Sequence, residues 1–287
     1  MKKAFKNVAI IGKYNASEMR ESILAMSAFL ASEQVAVFIE AATAEHCFIT
    51  DYATLSMDEI GDKVDLAIVL GGDGTMLGVS RTLANSQIPL IGVNQGRVGF
   101  LTDVSSANML EEMGKIFAGN YSIEQRILLK ASVFRDGEKI SCGRAMNDVV
   151  INKSGMSRLI ELEVNIDKQF VHRQRSDGLI LATPTGTTAY ALSAGGPIIH
   201  PTLDAITLVP ICPHTLSNRP IAIHSASKVE ITLVHCEAAA VHLDGQLELA
   251  LFAGDHLLVE RDENTVSLLH PLGHSHYDML RQKLNWG

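Results

Sequence analysis

Five consecutive residues, Gly71-Gly72-Asp73-Gly74-Thr75, combine groups that could move a phosphoryl group. Glycines let backbone N–H groups approach a phosphate closely, and a helix opening behind them adds its positive end. The carboxylate in the middle sets this loop apart from an ordinary phosphate cradle. An anion there repels phosphate unless it holds a metal or accepts a proton. Asp73 is therefore predicted to do chemistry, with Gly71, Gly72, Gly74 and Thr75 beside the nucleotide. No Gly-Lys-Ser/Thr follows, so the loop is not of the Walker type.

Three further segments offer binding groups. Asn94-Gln95-Gly96-Arg97-Val98-Gly99 has two glycines three apart, which could make a second backbone cradle or a plain loop. Asn147-Asp148 suits the two hydroxyls of a ribose, or is a solvated strand end. The stretch from Arg175 to Pro197 is dense with hydroxyls and glycines. Its Thr185-Gly186-Thr187-Thr188-Ala189 could open a helix whose free N–H groups face a ligand. Tyr190 offers a flat face for a base.

These segments need elements to hold them. Apolar runs at Val8–Ile11, Val35–Ile39, Leu66–Leu70 and Ile88–Val93 read as buried parallel strands. Between and after them, helices are expected over Glu18–Ser32, behind Asp73, and from a Ser105 cap to about Phe117. After about Arg126 the period changes, and Leu159 to Asp167 alternates as a half-exposed antiparallel strand does. Arg135-Asp136-Gly137-Glu138 and Asp244-Gly245-Gln246 read as turns. The expected fold is an α/β, Rossmann-like domain over 1–122, completed by a tail at 272–287, plus an all-β antiparallel sandwich over 123–271. Ligands of open α/β sheets gather at the carboxyl ends of strands, so the loops at 71–75 and 94–96 are expected to face one crevice.

Composition excludes several classes. The 287 residues are 47% hydrophobic, enough for a real core, but no apolar run approaches the length of a membrane span. The basic N-terminus lacks a signal-peptide pattern, and a cytoplasmic enzyme is expected. A formal charge of −8 without a basic run argues against nucleic acid. Four scattered cysteines read as reduced thiols. Cys212-Pro213-His214 and His274-Ser275-His276 assemble no tetrahedral metal set in the sequence, so no metal ligands are expected from the protein.

Taken together, the segments resemble bacterial NAD kinases of the Gram-negative type, over essentially the whole chain. Gly71 to Thr75 is a motif shared with lipid kinases and phosphofructokinases. Thr183 to Tyr190 with Ser193 to Pro197, Pro213-His214-Thr215-Leu216-Ser217-Asn218-Arg219-Pro220, and Asn94-Gln95-Gly96 running into Gly99-Phe100-Leu101 are far more specific. The resemblance implies transfer of the γ-phosphoryl group of ATP to the 2′-hydroxyl of the adenosine ribose of NAD. Mg²⁺ would be held mainly through the ATP phosphates. A homo-oligomer, tetramer or dimer, is also implied. In the family's motifs Asp73 takes the place of the catalytic base, and Asn94, Asn147 and Asp148 fall among the nucleotide contacts. By the same resemblance, Thr185 and the run Thr188, Ala189, Tyr190, Ala191, Leu192 and Ser193 are expected on the adenine side. The resemblance also implies that Arg158, Arg175, Asp177 and Gln246 line the NAD site, with Arg175 where an arginine is associated with preferring NAD over NADH. One departure stands out: the family commonly has Glu where this chain has Asp148. The alternatives are a diacylglycerol-type lipid kinase and a non-catalytic NADP(H) sensor.

Overall fold

The computed structural model describes residues 5–13, 19–96, 99–153, 159–215, 217–236 and 239–286. The chain divides into two compact units, Met1–Gln125 with Val266–Gly287, and Arg126–Thr265. The divisions fall inside the long strands Tyr121–Arg135 and His256–Pro271.

The first unit alternates strand and helix: β1 (Asn7–Gly12), α1 (Arg20–Ser32), β2 (Ala36–Glu40), α2 (Ala41–His46), β3 (Ala53–Leu55), α3 (Met57–Lys63), β4 (Leu66–Leu70), α4 (Asp73–Leu83), β5 (Leu90–Asn94), β6 (Val104–Ser105) and α5 (Met109–Phe117). The strands run parallel in the order β3-β2-β1-β4-β5, with β6 beside β5. Every residue of β4 and β5 is buried, which is why both read as unbroken apolar runs. Val8, Ile10, Leu66, Ile68, Leu70, Ile91 and Val93 share a core with Ile23, Met26 and Leu30 of α1 and Met113 and Ile116 of α5.

Local chemistry explains the short helices, which apolar periodicity does not mark. Ser56 and Glu59 form a reciprocal capping box at α3, and Glu40 caps α2 by accepting from the N–H groups of Ala42 and Thr43. Ser105 does not cap α5. A 3₁₀ turn at Ser106–Asn108 intervenes, and the Ser105 hydroxyl makes no capping bond.

The second unit is antiparallel. Its strands are β7 (Tyr121–Arg135), β8 (Glu138–Ala145), β9 (Asp148–Lys153), β10 (Ile160–Ile166), β11 (Gln169–Ser176), β12 (Gly178–Ala182), β13 (Ala205–Ile211), β14 (Ile221–His224), β15 (Val229–His235), β16 (Ala239–Leu243), β17 (Leu247–Leu251) and β18 (His256–Pro271). One sheet has the order β14-β13-β12-β9-β16-β17. The other carries β11-β10-β15-β18, with β7 paired to β8 and β18. Ile160, Leu162 and Val164 of β10 are buried as their alternation requires. They join Val149 and Ile151 of β9, Leu179 and Leu181 of β12, and Val241 and Leu243 of β16 in one core. The only helices are a 3₁₀ turn at Thr185–Thr188 and the single turn α6 (Tyr190–Ser193), among the described residues of this unit. After β18 the chain ends in α7 (His276–Leu284), which belongs to the first unit. No helix among the described residues is long and apolar enough to cross a membrane.

Candidate active site

In the first unit, buried β4 delivers the chain to Gly71 and Gly72, and α4 begins at Asp73. Neither glycine is there for a left-handed backbone, since neither has positive φ. A Cβ on Gly71 would lie 2.6 Å from Thr75 Oγ1, so the first turn of α4 packs on bare backbone. A Cβ on Gly72 would meet nothing within 4 Å, so its backbone borders open space.

The Asp73 carboxylate is clasped. Oδ2 accepts from Phe100 N at 2.8 Å, and Oδ1 accepts from Leu101 N at 3.0 Å and Thr102 Oγ1 at 3.1 Å. An ionised carboxylate accepts at about four positions, so roughly one stays open. Asn94 is tied into the same network. Its Nδ2 donates to Thr102 Oγ1 at 2.8 Å, and its Oδ1 accepts from Gly96 N at 2.7 Å. Gly99 N donates to Thr102 O at 3.0 Å. The N–H groups of Gly96 and Gly99 are therefore spent inside the loop rather than open to a phosphate. Gly99 has another purpose: a Cβ on it would fall 1.8 Å from Asp73 Oδ1.

In the second unit, Asp244 and Gly245 turn between β16 and β17 with φ of 52° and 64°, values suited to an Asp-Gly hairpin. The Asp244 carboxylate accepts from three successive N–H groups, Met146 at 3.0 Å, Asn147 at 2.7 Å and Asp148 at 3.1 Å. A cavity of about 370 Å³ opens here, and its walls include Asn147, Asp148, Asn152, Tyr190, His242 and Asp244. Asp148 is 4% exposed. Burial, and then the charge of Asp244, push its carboxyl up to about 7.

Four of the sequence-predicted residues, Asn147, Asp148, Ala189 and Tyr190, line this cavity together. Others face elsewhere. Thr185 is buried and accepts from Arg126 Nη1 at 3.3 Å, while Thr188 Oγ1 donates back to Thr185 O at 3.2 Å. Ala191 packs on Val150, Ile180, Ala182 and Val209. Leu192 and Ser193 complete α6 away from the cavity wall.

Of the N–H groups along Thr185–Ala189 that the sequence leaves open to a ligand, three are taken within the turn. Gly186 N donates to Thr183 Oγ1, Thr187 N to Thr183 O and Ala189 N to Gly186 O. The segment is a turn pressed on its neighbour, since a Cβ on Gly186 would lie 2.0 Å from Asn147 O. Arg175 is exposed on β11. Asp177 pairs with Lys153 at 2.7 Å, and Gln246 is exposed in the hairpin turn. None of these three borders the cavity. Arg158 lies outside the described residues, as do Arg97, Val98 and Leu216. The cavity also uses Val150, Asn152 and His242, which the sequence did not single out, and Asp244 and Gly245, which it marked only as a turn.

Two family models match the chain. The ATP-NAD kinase N-terminal domain covers residues 8–121, and the ATP-NAD kinase C-terminal domain covers 146–270. The chain belongs to the NAD kinase family. An NAD kinase of Thiobacillus denitrificans is 50% identical over 283 residues, covering 99% of this chain and 98% of that protein. One from Laribacter hongkongensis is 49% identical, covering 99% and 97%. Among solved structures, yeast NADH kinase complexed with NADH superposes with a TM-score of 0.89 at 26% identity, covering 100% of this chain and 89% of that one. An NAD kinase from Archaeoglobus fulgidus in complex with ATP gives 0.76 at 26% identity, covering 97% and 98%. The Asp73 loop falls within the N-terminal family match and the Asn147–Gly245 cavity within the C-terminal one.

Proposed function

We propose that this member of the NAD kinase family transfers the γ-phosphoryl group of ATP to the 2′-hydroxyl of the adenosine ribose of NAD, yielding NADP. The observation that carries this reading is the 50% identity, over nearly the full length of both chains, to an NAD kinase. The first unit supplies a carboxylate whose position is fixed by three protein donors. Its remaining acceptor position takes the proton as the ribose oxygen attacks phosphorus and the bond to the ADP leaving group breaks. An aspartate is a weak base, so the transfer comes late, as the new bond forms. The clasp contributes by holding the acceptor still, which is where positional catalysis gains its rate.

ATP enters as its magnesium complex, whose ion offsets charge on the phosphates. The open backbone at Gly72 gives a phosphate room to approach. In the second unit, Asn147 and Asp148 face ribose hydroxyls, and the exposed ring of Tyr190 stacks on the base. The cavity volume lies within the usual range for small-molecule sites, about 300–1,000 Å³. Arg175, Asp177 and Gln246 would contact parts of NAD beyond this cavity, and Arg158 would be a further NAD contact. The same reading carries a cytoplasmic homo-oligomer, dimer or tetramer.

The test is direct. Full-length protein is incubated with Mg-ATP and NAD, and NADP is measured with an NADP-specific dehydrogenase. Stoichiometric NADP is expected. Binding without NADP would instead indicate a sensor, and phosphorylation of diacylglycerol a lipid kinase.

A further inference from the structure

Asp103, His270 and His274 meet within the first unit. Asp103 directly follows the segment that clasps Asp73, His270 sits near the end of β18, and His274 lies on the turn before α7. Nδ1 of both imidazoles lies 2.9 Å from one oxygen, Asp103 Oδ2. The rings stack with centroids 4.1 Å apart and planes 17° apart. The cluster is nearly dry, with side-chain exposures of 7% for Asp103, 1% for His270 and 8% for His274.

Protons sit badly in this arrangement. For both rings to hydrogen-bond Oδ2, both Nδ1 atoms must carry protons, and neutral rings then have bare Nε2 atoms. His270 Nε2 is buried with no hydrogen-bond partner, and Glu124 Oε2 lies 3.8 Å away, beyond hydrogen-bond reach. Asp103 Oδ1 is likewise buried with no hydrogen-bond partner. Buried polar atoms in such a state call for an explanation, and an ion is one.

We propose that Asp103, His270 and His274 bind a zinc-type divalent transition-metal ion. Coordination at Nδ1 moves each ring proton to Nε2. His270 then directs an N–H toward Glu124, the carboxylate backing typical of metal-bound imidazoles. Two imidazole nitrogens and a carboxylate oxygen suit Zn²⁺, at bond lengths of about 2.0–2.2 Å. The three ligand atoms already lie within 4.8 Å of one another. A cavity of about 410 Å³ borders Asp103 and His274, giving solvent access for a fourth ligand. A metal lies in the plane of each imidazole it binds, so His274, at the cavity wall, tilts out of the stack on coordination. Mg²⁺ demands six oxygens in an octahedron and does not fit this donor set. The ion would staple the turn before α7 to the residues that follow the Asp73 clasp, a role separate from phosphoryl transfer.

The test uses the full chain stripped of metal with a chelator and titrated with Co²⁺ and then Zn²⁺. The expected result is one Co²⁺ per chain, with the visible absorption of a four-coordinate site. Zn²⁺ displaces it, and millimolar Mg²⁺ does not. His274→Gln should weaken binding at least about tenfold, and Zn²⁺ should raise the thermal midpoint of the wild type but not of this variant. His274 is the most accessible of the three, so His274→Gln is the variant least disturbing to the fold, with far-UV circular dichroism as the check. Absence of saturable Co²⁺ or Zn²⁺ binding by the wild type, or equal affinity in His274→Gln, overturns the proposal.

Discussion

Asp73 and Asp148 both stand at the end of a buried strand, yet their surroundings differ. Asp73 follows β4 and accepts three hydrogen bonds from the segment at residues 100–102. Asp148 opens β9 almost fully buried, and the nearby N–H donors, its own included, are taken by Asp244. One carboxylate is held in position by donors. The other is left to titrate, pushed up to about 7 by burial and by the neighbouring acid. A carboxylate meant to meet one reacting atom needs its coordinates fixed. One that, on the proposed reading, meets a sugar hydroxyl in a cavity can change charge with its surroundings.

The largest effect is expected at the clasped acid. Asp73→Asn should lower kcat by about 10²–10⁴ while the NAD dissociation constant from calorimetry stays unchanged. The amide also turns an N–H toward the N–H groups of Phe100 or Leu101, so part of the loss is positional. Near-normal turnover would reduce Asp73 to a loop fastener.

Asp244→Ala tests the other acid from beneath. Three backbone N–H groups lose their acceptor, and urea unfolding should show a loss of at least about 2 kcal/mol. A loss below about 0.5 kcal/mol would mean that water replaces Asp244 freely.

The titration of Asp148 has a definite sign. The folded state keeps the proton up to about pH 7, against a usual value of 3.8, so it binds more protons than the unfolded chain between those limits. Its contribution to stability is fully present below about pH 4 and is lost as pH rises to about 7. Asp148→Asn should remove this slope, worth roughly 1–3 kcal/mol once solvent in the cavity is allowed for. A wild type whose urea midpoint is flat from pH 4.5 to 7.5 would show that Asp148 does not titrate there.

Thr102→Val is expected to be mildest. It deletes one donor to Asp73 and the acceptor for Asn94 Nδ2, about 1 kcal/mol, or a several-fold fall in kcat with KM for NAD unchanged. No change at all would mean that the two backbone donors alone fix the carboxylate.

The apolar run Leu66–Leu70 and the alternation from Ile160 to Ile166 are readable because burial imposes a period on neighbouring residues. The short helices α2 and α3 are capped by local polar contacts, with too few residues for a period to show. Asn147, Asp148 and Tyr190 could be picked out as a set because their types suit a nucleoside. Asp244 could not, since an Asp-Gly hairpin explains the same letters, and only the fold brings its oxygens to residues 146–148. The hydroxyls of Thr185 and Thr188, read from the sequence as ligand contacts, bond within the protein in the structure, Thr185 with the Arg126 guanidinium and Thr188 with the carbonyl of Thr185. Asp103 and His270 are 167 positions apart, so no spacing rule could have joined them.

Residues 266–287 belong to the unit otherwise built from the first 125. On the ribosome, that unit must therefore wait for the whole intervening β region to be synthesised before its last strand residues and α7 emerge. Until then, Leu90 of β5 lacks its partner Leu268, leaving an unpaired strand edge open to other nascent chains. Shortening the C-terminus should thus harm the half of the molecule made first.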